Sequence, residues 1–149
     1  MILGKGDWLG SGSLLVEGAS LGDSVEISLS VVEDSEGITL EGDVSGEFSA
    51  RVSIRVAPDE VGTYIIDARV GALALDGRAK LESEPHLTLL WNEAGTQSAT
   101  CSLFRVRDGV GCRGFWREAG KTRTWEVLFK LKQQVIGGDN VVSLSRRRR

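Results

Sequence analysis

Apolar and polar side chains alternate along nearly the whole chain, most cleanly over residues 47–57. Phe48, Ala50, Val52, Ile54 and Val56 share one face, while Ser49, Arg51, Ser53 and Arg55 share the other. A period of two belongs to a β-strand with one buried face. Segments of this kind run over 7–18, 24–34, 37–45, 47–57, 62–70, 73–83, 86–92, 97–107, 110–119 and 122–133. No stretch carries the 3.6-residue period of an amphipathic helix. The chain is expected to be all-β, an antiparallel up-and-down barrel of about ten strands, because a meander removes its exposed edges best by closing on itself.

The turns support consecutive pairing. Gly71-Ala72 fits a two-residue hairpin that sets Ile66 against Gly77 and Tyr64 against Ala79. Asp108-Gly109 is a strong hairpin signal; centred there, a turn pairs Arg105 with Cys112, Leu103 with Gly114 and Cys101 with Trp116. A turn at Gly120-Lys121 would set Trp116 against Trp125 and Cys112 against Phe129. A three-residue loop at Glu93-Ala94-Gly95 keeps both Trp91 and Cys101 inside. That choice turns Leu87, Leu89 and Trp91 inward and His86, Thr88 and Leu90 outward.

The chain of 149 residues suits one domain, expected over 1–133, followed by a flexible basic tail over 134–149. Residues 1–99 hold 6 basic and 17 acidic side chains, and residues 100–149 hold 12 and 4. Four of those 12 are the run Arg146 to Arg149, which has no aromatic partners and does not amount to a nucleic-acid site. Two cysteines whose expected register does not oppose them read as free thiols, which favours a reducing, cytoplasmic compartment. The N-terminus lacks the apolar run of a signal peptide, and no segment has the length of a membrane helix, so no membrane insertion is expected.

Gly6-Asp7-Trp8 resembles the G-x-W signature of the lipocalins and wider calycin barrels. The resemblance implies that Trp8 closes one barrel end, with a basic side chain of the last strand (Arg123, Lys130 or Lys132) across it. The strand count is closer to the ten-stranded fatty-acid-binding-like branch. Residues 18–24 are too short for that branch's helical lid, and the last strand lacks an Arg-x-Tyr pair. The family resemblance implies a barrel that holds an apolar ligand, with an inward arginine gripping a carboxylate.

Three constellations are candidates. Trp91, Cys101, Cys112, Trp116, Trp125 and Phe129 fall on inward faces of the last four strands; with Tyr64 they would line a pocket for a flat apolar molecule. Inward glycines and alanines such as Gly42, Ala68, Gly77 and Gly114 remove interior volume, so the barrel is either flattened or occupied. Arg105 is inward by register near one barrel end, where a ligand carboxylate could pair with it or its stem could reach solvent. On the outer face, Phe104, Phe115 and Leu128 lie beside Arg113 and Arg117, a composition that fits a homodimer interface.

Catalytic signals are poor. His86 is the only histidine, and haem ligation would need it to point inward, which the alternation does not allow. Zinc would need more ligands, and no cofactor is expected. The expected function is non-catalytic binding of a small apolar or amphipathic molecule. The alternatives are a homodimeric interaction module with a packed interior, and an isomerase or cyclase acting on an apolar chain through Glu118, Tyr64 or the thiols.

Overall fold

Alternation becomes a closed barrel because every strand finds a partner on each side. The computed structural model describes residues 1–132, so the expected tail lies outside the described residues. Ten antiparallel strands follow one another: β1 Gly6–Val16, β2 Asp23–Asp34, β3 Gly37–Gly46, β4 Ala50–Pro58, β5 Tyr64–Val70, β6 Leu73–Lys80, β7 His86–Trp91, β8 Gln97–Val106, β9 Gly109–Glu118 and β10 Lys121–Leu131. Each pairs with its neighbours in sequence, and β1 closes the ring on β10 from Trp8↔Leu131 to Val16↔Arg123. Among the described residues no helix is long and apolar enough to cross a membrane. The interior is apolar and the outer wall carries ion pairs such as Arg55–Asp34 and Arg51–Asp43. A transmembrane barrel has the reverse arrangement.

The core is one cluster lining the inside of the ring, with Val25, Leu29, Val31, Leu40, Val52, Val56, Ile66, Leu75, Val127 and Phe129 all buried. The inward glycines do not hollow it out. A Cβ on Gly42 would lie 1.7 Å from the Ser28 carbonyl oxygen, and one on Gly77 would lie 1.9 Å from that of Leu89. These positions let the neighbouring strand's backbone approach closely where the sheet coils.

Both barrel ends differ in how they close. The upper end holds the N-terminal segment, Trp8, Leu81 and His86. There Leu3 is buried, and the Trp8 indole Nε1–H donates to the Gly4 carbonyl at 2.8 Å. The basic side chain expected across Trp8 is not there. Lys130 and Lys132 are exposed, and Arg123 sits at the lower end, its guanidinium 5.2 Å from the Trp116 ring centroid. The lower end carries the turns at 71–72, 92–97 and 119–120.

The Gly71-Ala72 hairpin has the expected register, with Tyr64↔Ala79 and Ile66↔Gly77. Three other turns differ. The β8–β9 turn is centred on Arg107-Asp108, closing with Val106↔Gly109. Gly109 serves close approach instead: a Cβ there would meet the Phe129 carbonyl at 2.1 Å. Consequently Cys101 faces Gly114 and Leu103 faces Cys112. The β9–β10 turn is Ala119-Gly120, with φ of 51° and 76°, the left-handed pair of a type I′ hairpin. Trp116 therefore faces Arg123, and Trp125 faces Gly114. The β7–β8 loop is one residue longer than expected. The Asn92 side chain accepts from the Gln97 amide at 2.9 Å and donates to Thr96 Oγ1 at 2.8 Å, drawing Thr96 into the loop. Trp91 then pairs with Ser98, and the whole of β7 is turned over.

Candidate functional site

Turning β7 over exchanges its two faces. Thr88 and Leu90 enter the barrel with His86, while Leu87, Leu89 and Trp91 face outward, Trp91 at 41% exposure. A side chain expected to line the pocket thus stands on the opposite wall. His86, expected outside, is 4% exposed, and its Nδ1 has no hydrogen-bond partner.

Inside the ring is a cavity of about 300 Å³. Cys101, Cys112, Trp116, Trp125 and Phe129 line it, joined by Thr88, Leu90, Ala99, Leu103 and Phe48. Aliphatic side chains of β2–β6 complete the wall, including Ile27, Leu40, Ile54, Ile66 and Leu75. The volume is about twice that of an apolar cavity that stays dry and admits benzene. Polar atoms are confined to the two thiols, the Thr88 hydroxyl and the indole N–H groups.

The indoles are held in place by their neighbours. Trp125 lies across Gly114, where a Cβ would come within 2.3 Å of the ring. From there its Nε1–H donates to Cys112 Sγ at 3.4 Å. Trp116 sits at the lower end, edge-on to Phe48 with centroids 6.2 Å apart, and donates to Gln97 Oε1 at 3.3 Å. Gln97 Nε2 reaches Glu118 Oε1 at 3.5 Å, and Glu118 lies 3.8 Å from Arg123. Gln97, Glu118 and Arg123 therefore form a polar rim beside the Trp116–Phe48 pair.

Arg105 and Tyr64 do not join the cavity wall. The Arg105 side chain is 72% exposed at the upper end and pairs with Glu84 at 3.6 Å; its backbone amide donates to the same carboxylate at 2.9 Å. Tyr64 donates to Glu82 at 2.8 Å, and that hydrogen bond holds its phenol above the ordinary value. The rim that does exist was legible only as scattered polar residues at strand ends, since its members meet through the register of β8, β9 and β10.

The expected interface residues occupy the outer wall. Phe115 is 56% exposed, and Arg113 stacks over the half-buried Phe104 at 5.4 Å while pairing with Glu126. Leu128 is half-buried nearby. Register aligns Leu89, Thr100, Phe115, Thr124 and Leu15 across five strands, and Leu87 and Trp91 flank Leu89. A groove of about 980 Å³ runs over this wall.

His86 has its own consequence. Burial lowers its pKa below 6.5; the amino group of Met1, Lys80 and Arg105 act in the same sense, against Glu84. A histidine neutral when folded costs nothing above its unfolded pKa. Below that value the unfolded chain takes the proton more readily, so stability falls until the folded pKa is reached. The folding free energy should therefore decline as pH drops below about 6.5. His86→Leu should flatten that part of the profile, measured by urea unfolding across pH 7.5 to 5; an unchanged slope would assign the acid sensitivity elsewhere. His86 does not line the cavity, so its inward position adds no ligand there. Among the described residues there is no group of three or more side chains placed to hold a metal ion.

No protein-family model matches this chain, and neither does any curated protein or solved structure.

Proposed function

We propose that the barrel binds a small apolar or amphipathic molecule in its interior, as the calycin resemblance of its sequence implies. The observation that carries this reading is the interior cavity of about 300 Å³ with an almost wholly apolar wall. Ligand pockets have this size range and this composition. Binding would be driven by apolar burial, about 25 cal/mol per Å² before ordering costs. An amphipathic ligand would enter at the lower end past the Trp116–Phe48 contact, leaving its polar head beside Gln97, Glu118 and Arg123. Arg105 has no part in this version, because Glu84 already answers its charge at the other end.

The test is uptake of 1-aminoanthracene, followed by quenching of tryptophan emission and rise of probe emission. The expected result is saturable binding at one probe per chain. Ala99 is buried in the cavity wall between Leu90 and Trp116. Ala99→Phe, checked for an intact β spectrum, should weaken uptake roughly tenfold, about 1.4 kcal/mol. Binding that ignores this plug would place the probe outside the barrel and overturn the reading. No uptake, together with a dimer that Phe115→Asp splits, would favour the outer wall as a self-association surface instead.

A further inference from the structure

Two thiols meet in the cavity wall. Cys101 and Cys112 lie on adjacent strands, two residues off direct opposition and so diagonal on the same face, and their sulfurs are 3.4 Å apart. Both are free and both line the cavity. Their surroundings make them unequal. The Trp125 indole can only donate, and it donates to Cys112 Sγ. Between the two thiols either sulfur can donate, so Cys112 has one donor, Trp125, that Cys101 lacks. That donor favours negative charge on Cys112. The bond from Cys101 lowers the Cys112 pKa against the opposing effect of burial, with Trp125 adding to it. Cys101 is pushed the other way, first by the hydrogen bond it makes and then by burial. Two free thiols in sulfur contact are placed to pass between the dithiol and the disulfide.

We propose that Cys101 and Cys112 form a redox-active dithiol whose oxidant is an apolar organic hydroperoxide held in the cavity. Cys112 releases its proton to solvent, its sulfur attacks the distal peroxide oxygen and the O–O bond breaks. The alkoxide leaves and takes the Cys101 proton, becoming an alcohol. Cys112 is then a sulfenic acid. The Cys101 thiolate attacks its sulfur, the S–O bond breaks, and hydroxide leaves and is protonated by solvent to water. Two sulfurs have lost two electrons, and the peroxide has gained them. The sulfurs must close from 3.4 Å to a bond of about 2.05 Å, and because the two residues are diagonal across the strands, β8 and β9 must shift to allow it. Gly114, opposite Cys101, leaves the room that lets Trp125 reach Cys112. A small-molecule dithiol such as dithiothreitol restores the pair.

The dithiol stands on the sulfur contact; the apolar substrate class rests on the proposed interior binding. The experiment exposes the full chain to one equivalent of cumene hydroperoxide, with hydrogen peroxide in parallel. Thiol titration and intact mass are read with and without dithiothreitol. The expected result is loss of both thiols, a mass lower by two hydrogens, one cumyl alcohol per chain, and a rate at least tenfold above that with hydrogen peroxide. Cys101→Ser should stop at a sulfenic acid that dimedone traps on Cys112. Cys112→Ser should consume no peroxide. Thiols that stay titratable, or disulfides only between chains, overturn the proposal. So does dimedone trapping on Cys101 in the Cys112→Ser variant. Equal rates with the two peroxides, together with an intramolecular disulfide, support the dithiol and overturn the apolar substrate class.

Discussion

Trp8→Ala is expected to cost about 4 kcal/mol of folding free energy, within the range for truncating a buried tryptophan. The indole is 6% exposed and stands between Leu29 on β2 and Leu131 on β10 at the upper barrel end. Its N–H also anchors the chain at Gly4, which holds Leu3 in the core. Truncation removes the apolar burial and leaves a void. It also releases the segment that covers the barrel end. Trp8→Phe keeps most of the packing and loses the hydrogen bond, so it should cost about 1 kcal/mol. Urea unfolding of the three proteins measures both. Equal losses for the two variants would mean that the hydrogen bond, and not the packing, closes this end.

Gly42→Ala is expected to cost about 3 kcal/mol, the upper part of the overpacking range. The new methyl would lie 1.7 Å from the Ser28 carbonyl oxygen, which is backbone in the middle of the β2–β3 pairing and cannot turn aside. Relief requires the two strands to part and lose neighbouring hydrogen bonds. Gly4→Ala is the control: a Cβ there meets nothing within 4 Å, so its effect should stay within about 0.5 kcal/mol. Thermal unfolding separates the two. A Gly42→Ala protein as stable as the Gly4→Ala one would show that the sheet does not need glycine to coil at this point.

Which parts of this molecule were legible follows from two different periodicities of information. Side-chain face has a period of two, so any strand with apolar residues on one side only declares its orientation. β2 comes close to this, with Val25, Ile27, Leu29 and Val31 against Ser24, Glu26, Ser28 and Ser30 and Val32 alone among the apolar residues on the outer side. β7 is not, because Leu87, Leu89 and Trp91 compete with Leu90 for the interior. Its phase was decided by loop length, and loop length by two hydrogen bonds of Asn92. Register is a separate quantity. Moving the β8–β9 and β9–β10 turns by two residues' worth of pairing leaves every face unchanged and changes every neighbour. That shift brought Cys112 beside Cys101, Trp125 over Gly114 and Arg123 onto Trp116.

By itself the sequence determined the all-β class, the strand number and most inward faces, because burial of alternate side chains is written residue by residue. Only the tertiary structure decided the phase of β7, the contact between the two thiols, the burial of His86 and the coiling at inward glycines. Each depends on which atoms of a neighbouring strand arrive opposite a given residue. Turn geometry and backbone approach set that meeting, and neither is carried by the hydrophobic pattern of a single strand.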